Sequence, residues 1–249
     1  MMGAPFVFPL LDLINSADYL YHSRLLDDTG RTTFAGWIQM IESRAGRQEY
    51  LTALDTMDKI VFNVPPAGVT RTVYHLLTGF ENHGSIAKAR LQPEVEKYYN
   101  YANSVQFRKV IHVNSSRTLD VARSGLEIAL AKGDLFLDVT RKLQHILNSI
   151  DVLFYAGQLD AVFPEANIER CFKNVRWRGT ELFKTAERKL WYKDDRKSEL
   201  FGYERIVGTL LYSTVILGGH DVSLDRSEAV AALYGRFLDL QKTKKLKWN

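Results

Sequence analysis

Two short runs constrain the fold of this chain more than any other feature: "VLFYAG" at 152–157 and "LLYSTVIL" at 210–217. Both are built from apolar and β-favouring residues and lack the polar alternation of a strand with one wet face. Strands buried on both sides read this way, and they belong to parallel sheets covered by helices. The first run ends at Gly157 and the second is followed by Gly218-Gly219. Leu135, Val139, Leu143, Ile146, Leu147 and Ile150 form an apolar stripe that predicts a long helix from about Asp134 into the first run. After the second run, "SEAVAALYGRFLDL" predicts a closing helix with Val230, Leu233, Tyr234, Phe237 and Leu238 on one side. Helix, strand, helix, strand, helix is an α/β order. A β-hairpin is expected around Trp191 to Tyr203.

The preceding residues have a different character. Phe34, Trp37, Ile38 and Ile41 fall at i, i+3, i+4 and i+7, one face of a helix, and Tyr50, Leu54, Met57 and Val61 repeat the spacing. Gly30 and Pro65-Pro66 are expected to punctuate these helices. The Tyr-rich "LQPEVEKYYNYANSVQFRKVIHV" predicts one or two more. The chain therefore divides into a mainly helical region, 1–133, and an α/β region, 134–249.

Composition narrows the function classes. With 46% hydrophobic and 25% charged residues, 249 residues can bury a substantial core. The net charge of +4 is mild, and the lysines of "LQKTKKLKWN" read as a solvated tail without the aromatic-basic pattern of a nucleic-acid surface. No run approaches the ~18 apolar residues of a membrane span. The N-terminus lacks the basic start and cleavage pattern of a signal peptide. The single cysteine, Cys171, cannot form an internal disulfide and reads as an ordinary helix residue. His22, His75, His83, His112 and His145 show no metal-ligand spacing, and the glycines form no phosphate-binding loop, so neither metal nor cofactor is expected.

Asp160 and His220 each follow the C-terminal end of an apolar run. Open α/β sheets collect their chemistry at that edge, where loops bring side chains from separate strands together. A carboxylate that orients an imidazole, and an imidazole that takes a proton from a nucleophile, form the acid–base half of a Ser-His-acid triad. The same residues suit plain turns, with Asp160 capping its own backbone and His220 idle. Pattern alone leaves both readings open.

From about Tyr99 to Phe237 the chain resembles the C-terminal half of a serine carboxypeptidase, of the vitellogenic carboxypeptidase-like branch. The matching pieces are "YYNYANSVQFRKVIHV", "VLFYAGQLD", "VRWRG", "RKLWY", "FGYERIVGTLLYSTVI" and "GGHDVSLDRSEA", in family order. "DYLYHSRLLDD" resembles the segment leading into that family's helical cap insertion. The resemblance implies a partial α/β-hydrolase fold: cap insertion plus the last core strands and helices. It also implies peptide C-terminal hydrolysis by acyl-enzyme chemistry, with Asp160 as triad acid and His220 as base, in an extracellular or lysosomal setting. Asn114-Ser115-Ser116 is a glycosylation sequon in keeping with that setting.

The family's nucleophile sits in a G-E-S-Y-G elbow upstream of everything matched, and no G-x-S-x-G occurs in this chain. Ser85 and Ser124 lack the flanking glycines and read as surface or capping residues. This chain alone is therefore expected to be inactive, either as the back half of a peptidase or as a non-catalytic remnant that binds. The sheet edge facing the absent strands is expected to be bare, leaving the chain unstable, oligomeric or dependent on a partner chain. The His loop also departs from the family's A-G-H-M-V-P. Asp221 replaces an apolar residue, and either raises the His220 pKa or points to solvent.

Overall fold

The computed structural model describes residues 2–3, 8–64, 68, 70–113 and 124–248. Pro65-Pro66 and the sequon at Asn114 lie outside the described residues. Five strands form one mixed sheet in the order β1-β2-β5-β4-β3: β1 Met2–Gly3, β2 Val152–Gly157, β3 Lys189–Tyr192, β4 Leu200–Val207 and β5 Leu210–Val215. Strands β2 and β5 pair in parallel from Val152↔Leu210 to Gly157↔Val215, and every residue of both is buried. Alternate side chains go to opposite faces. Val152, Phe154 and Ala156 join one apolar cluster with Leu210 and Tyr212, while Leu153 and Tyr155 join another with Leu211 and Val215. Both faces are covered, which is why neither run alternates between apolar and polar residues.

Antiparallel β4 and β3 complete the other side as a hairpin. On the far side of β2 the expected bare edge is partly filled. Strand β1 pairs in parallel at Phe154 and Tyr155, so the chain satisfies part of its own edge. Buried N–H and C=O groups are costly without partners, and even a two-residue strand supplies some.

The helices in chain order are α1 Leu10–Ile14, α2 Ala17–His22, α3 Asp28–Gly46, α4 Tyr50–Ile60, α5 Val73–Thr78, α6 Pro93–Ala102, α7 Val105–Val110, α8 Ser124–Lys132 and α9 Thr140–Ser149. Then come α10 Glu165–Asn174, α11 Thr180–Thr185, α12 Val222–Asp225 and α13 Ser227–Lys242. In α3, Phe34, Ile38 and Ile41 are buried, and in α4 Leu54 and Met57 are, as their spacing predicts. One apolar cluster runs from these helices through α1, α9, α10 and α11 to the sheet. Its aromatic centre sets Phe154 edge-on to Phe172 at 4.7 Å and parallel to Tyr212 at 5.7 Å. Helix α13 covers the opposite face with Ala229, Val230, Leu233, Phe237 and Leu240.

Several local expectations are corrected. The helix leading into β2 begins at Thr140 rather than Asp134: residues 133–136 turn off the end of α8, and Asp138 Oδ1 accepts the Thr140 N–H at 2.8 Å just ahead of the helix. Ile150, expected on the apolar stripe, is exposed at the C-terminal end of this helix, as is Leu238 on α13. Gly30 lies inside the first turn of α3, where Asp27 caps its N–H at 2.6 Å. The lysine-rich end is not wholly solvated: Leu246 is buried and Trp248 meets Trp177 edge-on at 5.6 Å. Cys171 is buried on α10, and burial pushes its thiol up to about 11.

Candidate active site

The loops leaving β2 and β5 lie side by side because the strands are parallel and in register. The turn after β5 takes its left-handed residue at Leu217, φ 61°, and not at the glycines. Gly157, Gly218 and Gly219 instead permit close approach. A Cβ on Gly157 would collide with the carbonyl oxygens of Gly218 and Gly219, and one on Gly219 would lie 2.6 Å from the Gly84 oxygen. At these positions glycine serves contact between backbones.

This contact brings Asp160 and His220 together across 60 residues, with Asp160 Oδ2 3.1 Å from His220 Nδ1. Asp160 is fully buried, and its Oδ1 accepts the Val162 and Phe163 N–H groups at 2.8 and 2.9 Å. The structure has a feature of each reading left open by the sequence: the carboxylate caps its own turn, and it also faces the imidazole. With Nδ1–H donating to the carboxylate, Nε2 is left as the basic nitrogen. Phe163 packs edge-on against the ring at 5.1 Å, and the His220 side chain remains 26% exposed. Burial alone disfavours the imidazolium. The charge of Asp160, its hydrogen bond and the charge of Asp221 outweigh it and hold the His220 pKa above the usual value. Asp221 is exposed and still contributes, so the two alternatives for it do not exclude each other.

A third segment meets the pair, and no local signal announces it. Gly84 O accepts the His220 N–H at 2.7 Å, and the Ile86 N–H donates to Leu159 O at 3.1 Å. Asn82 Oδ1 holds the Gly84 N–H at 2.9 Å. Ser85 is buried against Gly219 and caps the Ala87 N–H at 3.2 Å, so it is a capping serine but not a surface one. His83 lies close to His220, and burial, reinforced by that neighbour's charge, pushes its pKa down to about 4. Tyr19 of α2 donates to Gln158 O at 2.7 Å, and burial with the Asp160 and Glu165 charges raises its phenol pKa. Among the described residues, no group of three His, Cys, Asp or Glu side chains is placed to hold a metal ion. Nor, among them, is any helix long and apolar enough to cross a membrane.

The sequence model of the family described as serine carboxypeptidase matches residues 1–240. The chain belongs to the serine carboxypeptidase family. It is 28% identical over 235 residues to the venom serine carboxypeptidase of Apis mellifera, covering 92% of this chain and 48% of that protein. It is 26% identical over 223 residues to the human probable serine carboxypeptidase CPVL, covering 89% and 46%. Its fold matches the crystal structure of a Saccharomyces cerevisiae prohormone-processing carboxypeptidase with a TM-score of 0.63 at 12% identity, covering 94% of this chain and 53% of that one. This serine carboxypeptidase chain thus has the α/β-hydrolase fold of its family, and it spans about half the length of the curated relatives it matches.

Proposed function

We propose that this chain carries the acid and base of a serine carboxypeptidase, Asp160 and His220, and that the nucleophilic serine comes from residues outside it. His220 takes the proton of that serine as general base and returns it to the leaving amine as general acid, while Asp160 fixes the tautomer. The substrate is a peptide, shortened from its C-terminus through an acyl-enzyme. The observation that carries this reading is the buried Asp160 carboxylate, held by two backbone N–H groups and lying 3.1 Å from Nδ1. The first 133 residues, mainly helical, act as the cap over the core formed by 134–249. The part of the β2 edge that β1 leaves unpaired is closed by a further segment of the same protein, a partner chain or a second copy. An extracellular or lysosomal setting follows the same reading, supported by the sequon at Asn114 and by the venom origin in one relative's name.

The absence of G-x-S-x-G from these 249 residues favours a second reading, a non-catalytic family member that binds peptides or proteins. A fluorophosphonate probe with a peptide assay separates the two. The native protein is expected to label at a serine outside this sequence and to trim peptide C-termini, with both lost in H220A. Labelling on the 249 residues themselves sinks the assignment of the nucleophile. A native product that neither labels nor trims selects the second reading.

A further inference from the structure

The His loop is tied to the helical region through one buried carboxylate that the catalytic reading does not use. Asp225, at the end of α12, has a side chain only 6% exposed. Its Oδ2 accepts the Gly219 N–H at 2.7 Å, one residue before His220. Its Oδ1 accepts Lys88 Nζ and Gln92 Nε2, both at 2.5 Å. Lys88 and Gln92 follow directly on the segment whose Gly84 O holds the His220 N–H and whose Ile86 N–H holds Leu159 O, beside Asp160.

We propose that Asp225 is a positioning residue for His220: one carboxylate oxygen fixes the backbone before the imidazole, and the other latches that loop to Lys88 and Gln92. The proposal rests on the reading of His220 as triad base. A charge this deeply buried is costly unless its oxygens are satisfied. Both of its oxygens are, by partners on two separated parts of the chain. A group that only stabilised the loop would need no partner beyond it. The latch instead ties the His220 loop to the segment carrying Gly84, and that segment's own Ile86 N–H reaches Leu159 O beside Asp160.

Electrostatics and positioning move the His220 titration in opposite directions when Lys88 is neutralised. His220 is faced by Asp160 from the loop after β2, by Asp221 from its own loop and by His83 from the helical region. Removing the Lys88 charge in K88M takes a cation away from this group, and Coulomb's law alone would raise the His220 pKa. A loosened latch lets the imidazole drift from Asp160, which lowers it. The test is the imidazole titration by NMR in the folded chain, for wild type, K88M, Q92A and D225N. The expected result is a fall in the His220 pKa in K88M and D225N, a smaller fall in Q92A, and a weaker Nδ1–H signal to Asp160. In the native peptidase, kcat should drop about 10-fold in D225N, the order of one lost charge-assisted hydrogen bond, with KM little changed. An unchanged or raised pKa in folded K88M overturns the proposal. Lys88 is half-buried at the surface, so K88M remains informative even if D225N fails to fold. If H220A retained peptidase activity, the triad reading would fall, whereas the titration decides the latch alone.

Discussion

Asp160 divides its two oxygens between its own backbone and His220: Oδ1 holds the Val162 and Phe163 N–H groups, and Oδ2 meets Nδ1 at 3.1 Å. The first set of bonds locks the carboxylate so that the second has one geometry. D160N keeps the size and can keep the turn, but presents an amide N–H to Nδ1 and forces the wrong tautomer. On the proposed peptidase reading, kcat of the native protein is expected to fall about 10⁴-fold, with circular dichroism unchanged. A loss below tenfold would remove Asp160 from the triad.

The same pair makes stability depend on pH. The His220 pKa in the fold lies above its unfolded value, so the native state holds that proton more tightly. The stabilisation is complete below the unfolded value, about 6.5. It is lost as pH rises through the folded value. Urea midpoints from about pH 5 to about pH 9 should therefore contain a His220 component that declines with rising pH and disappears in H220Q. A difference between wild type and H220Q that does not vary with pH would contradict the assignment.

Asp221 adds to that elevation from the solvent side. D221L should lower the His220 pKa and, on the proposed peptidase reading, move the acidic limb of the kcat/KM profile of the native protein to lower pH. The base is active when neutral, and a lower pKa leaves more of it neutral at a given acidic pH. An acidic limb at the same pH would mean that solvent screens Asp221 fully.

Two glycine substitutions should act with opposite sign. G157A drives a methyl into the carbonyl oxygens of Gly218 and Gly219 and is expected to cost about 1–3 kcal/mol. G36A, inside α3 with open space around it, should gain about 0.5–1 kcal/mol. Chemical denaturation of the two variants side by side checks both signs.

What could be read from the chain alone was what periodicity carries. Strands β2 and β5, the buried stripe of α3 and the closing helix all followed from side-chain spacing, because burial on one face or two leaves a direct mark on residue type. The meeting of Asp160 with His220 was legible because both lie in the loops that follow those strands. The start of α9 was not, since Asp134 and Leu135 bond back to Leu130 O and close the end of α8, which leaves the apolar stripe from Leu135 outside the helix. Nor were Gly84, Lys88 and Gln92. Their contribution is made by backbone groups or long polar side chains reaching elements more than 130 residues away, and nothing in their neighbourhood encodes that. Strand β1 was missed for another reason: two residues carry no periodicity.

The parallel pairing of β2 with β5 also sets an order of events during folding. A hairpin closes early because its ends are neighbours, but this ladder must join segments separated by a helix pair and a hairpin of their own. Such non-local pairing forms late. Asp160 and His220 share no local contact that could bring them together sooner. A newly made chain therefore lacks the pair until the central ladder has closed, and assembly of the sheet itself becomes the step that creates the contact between Asp160 and His220.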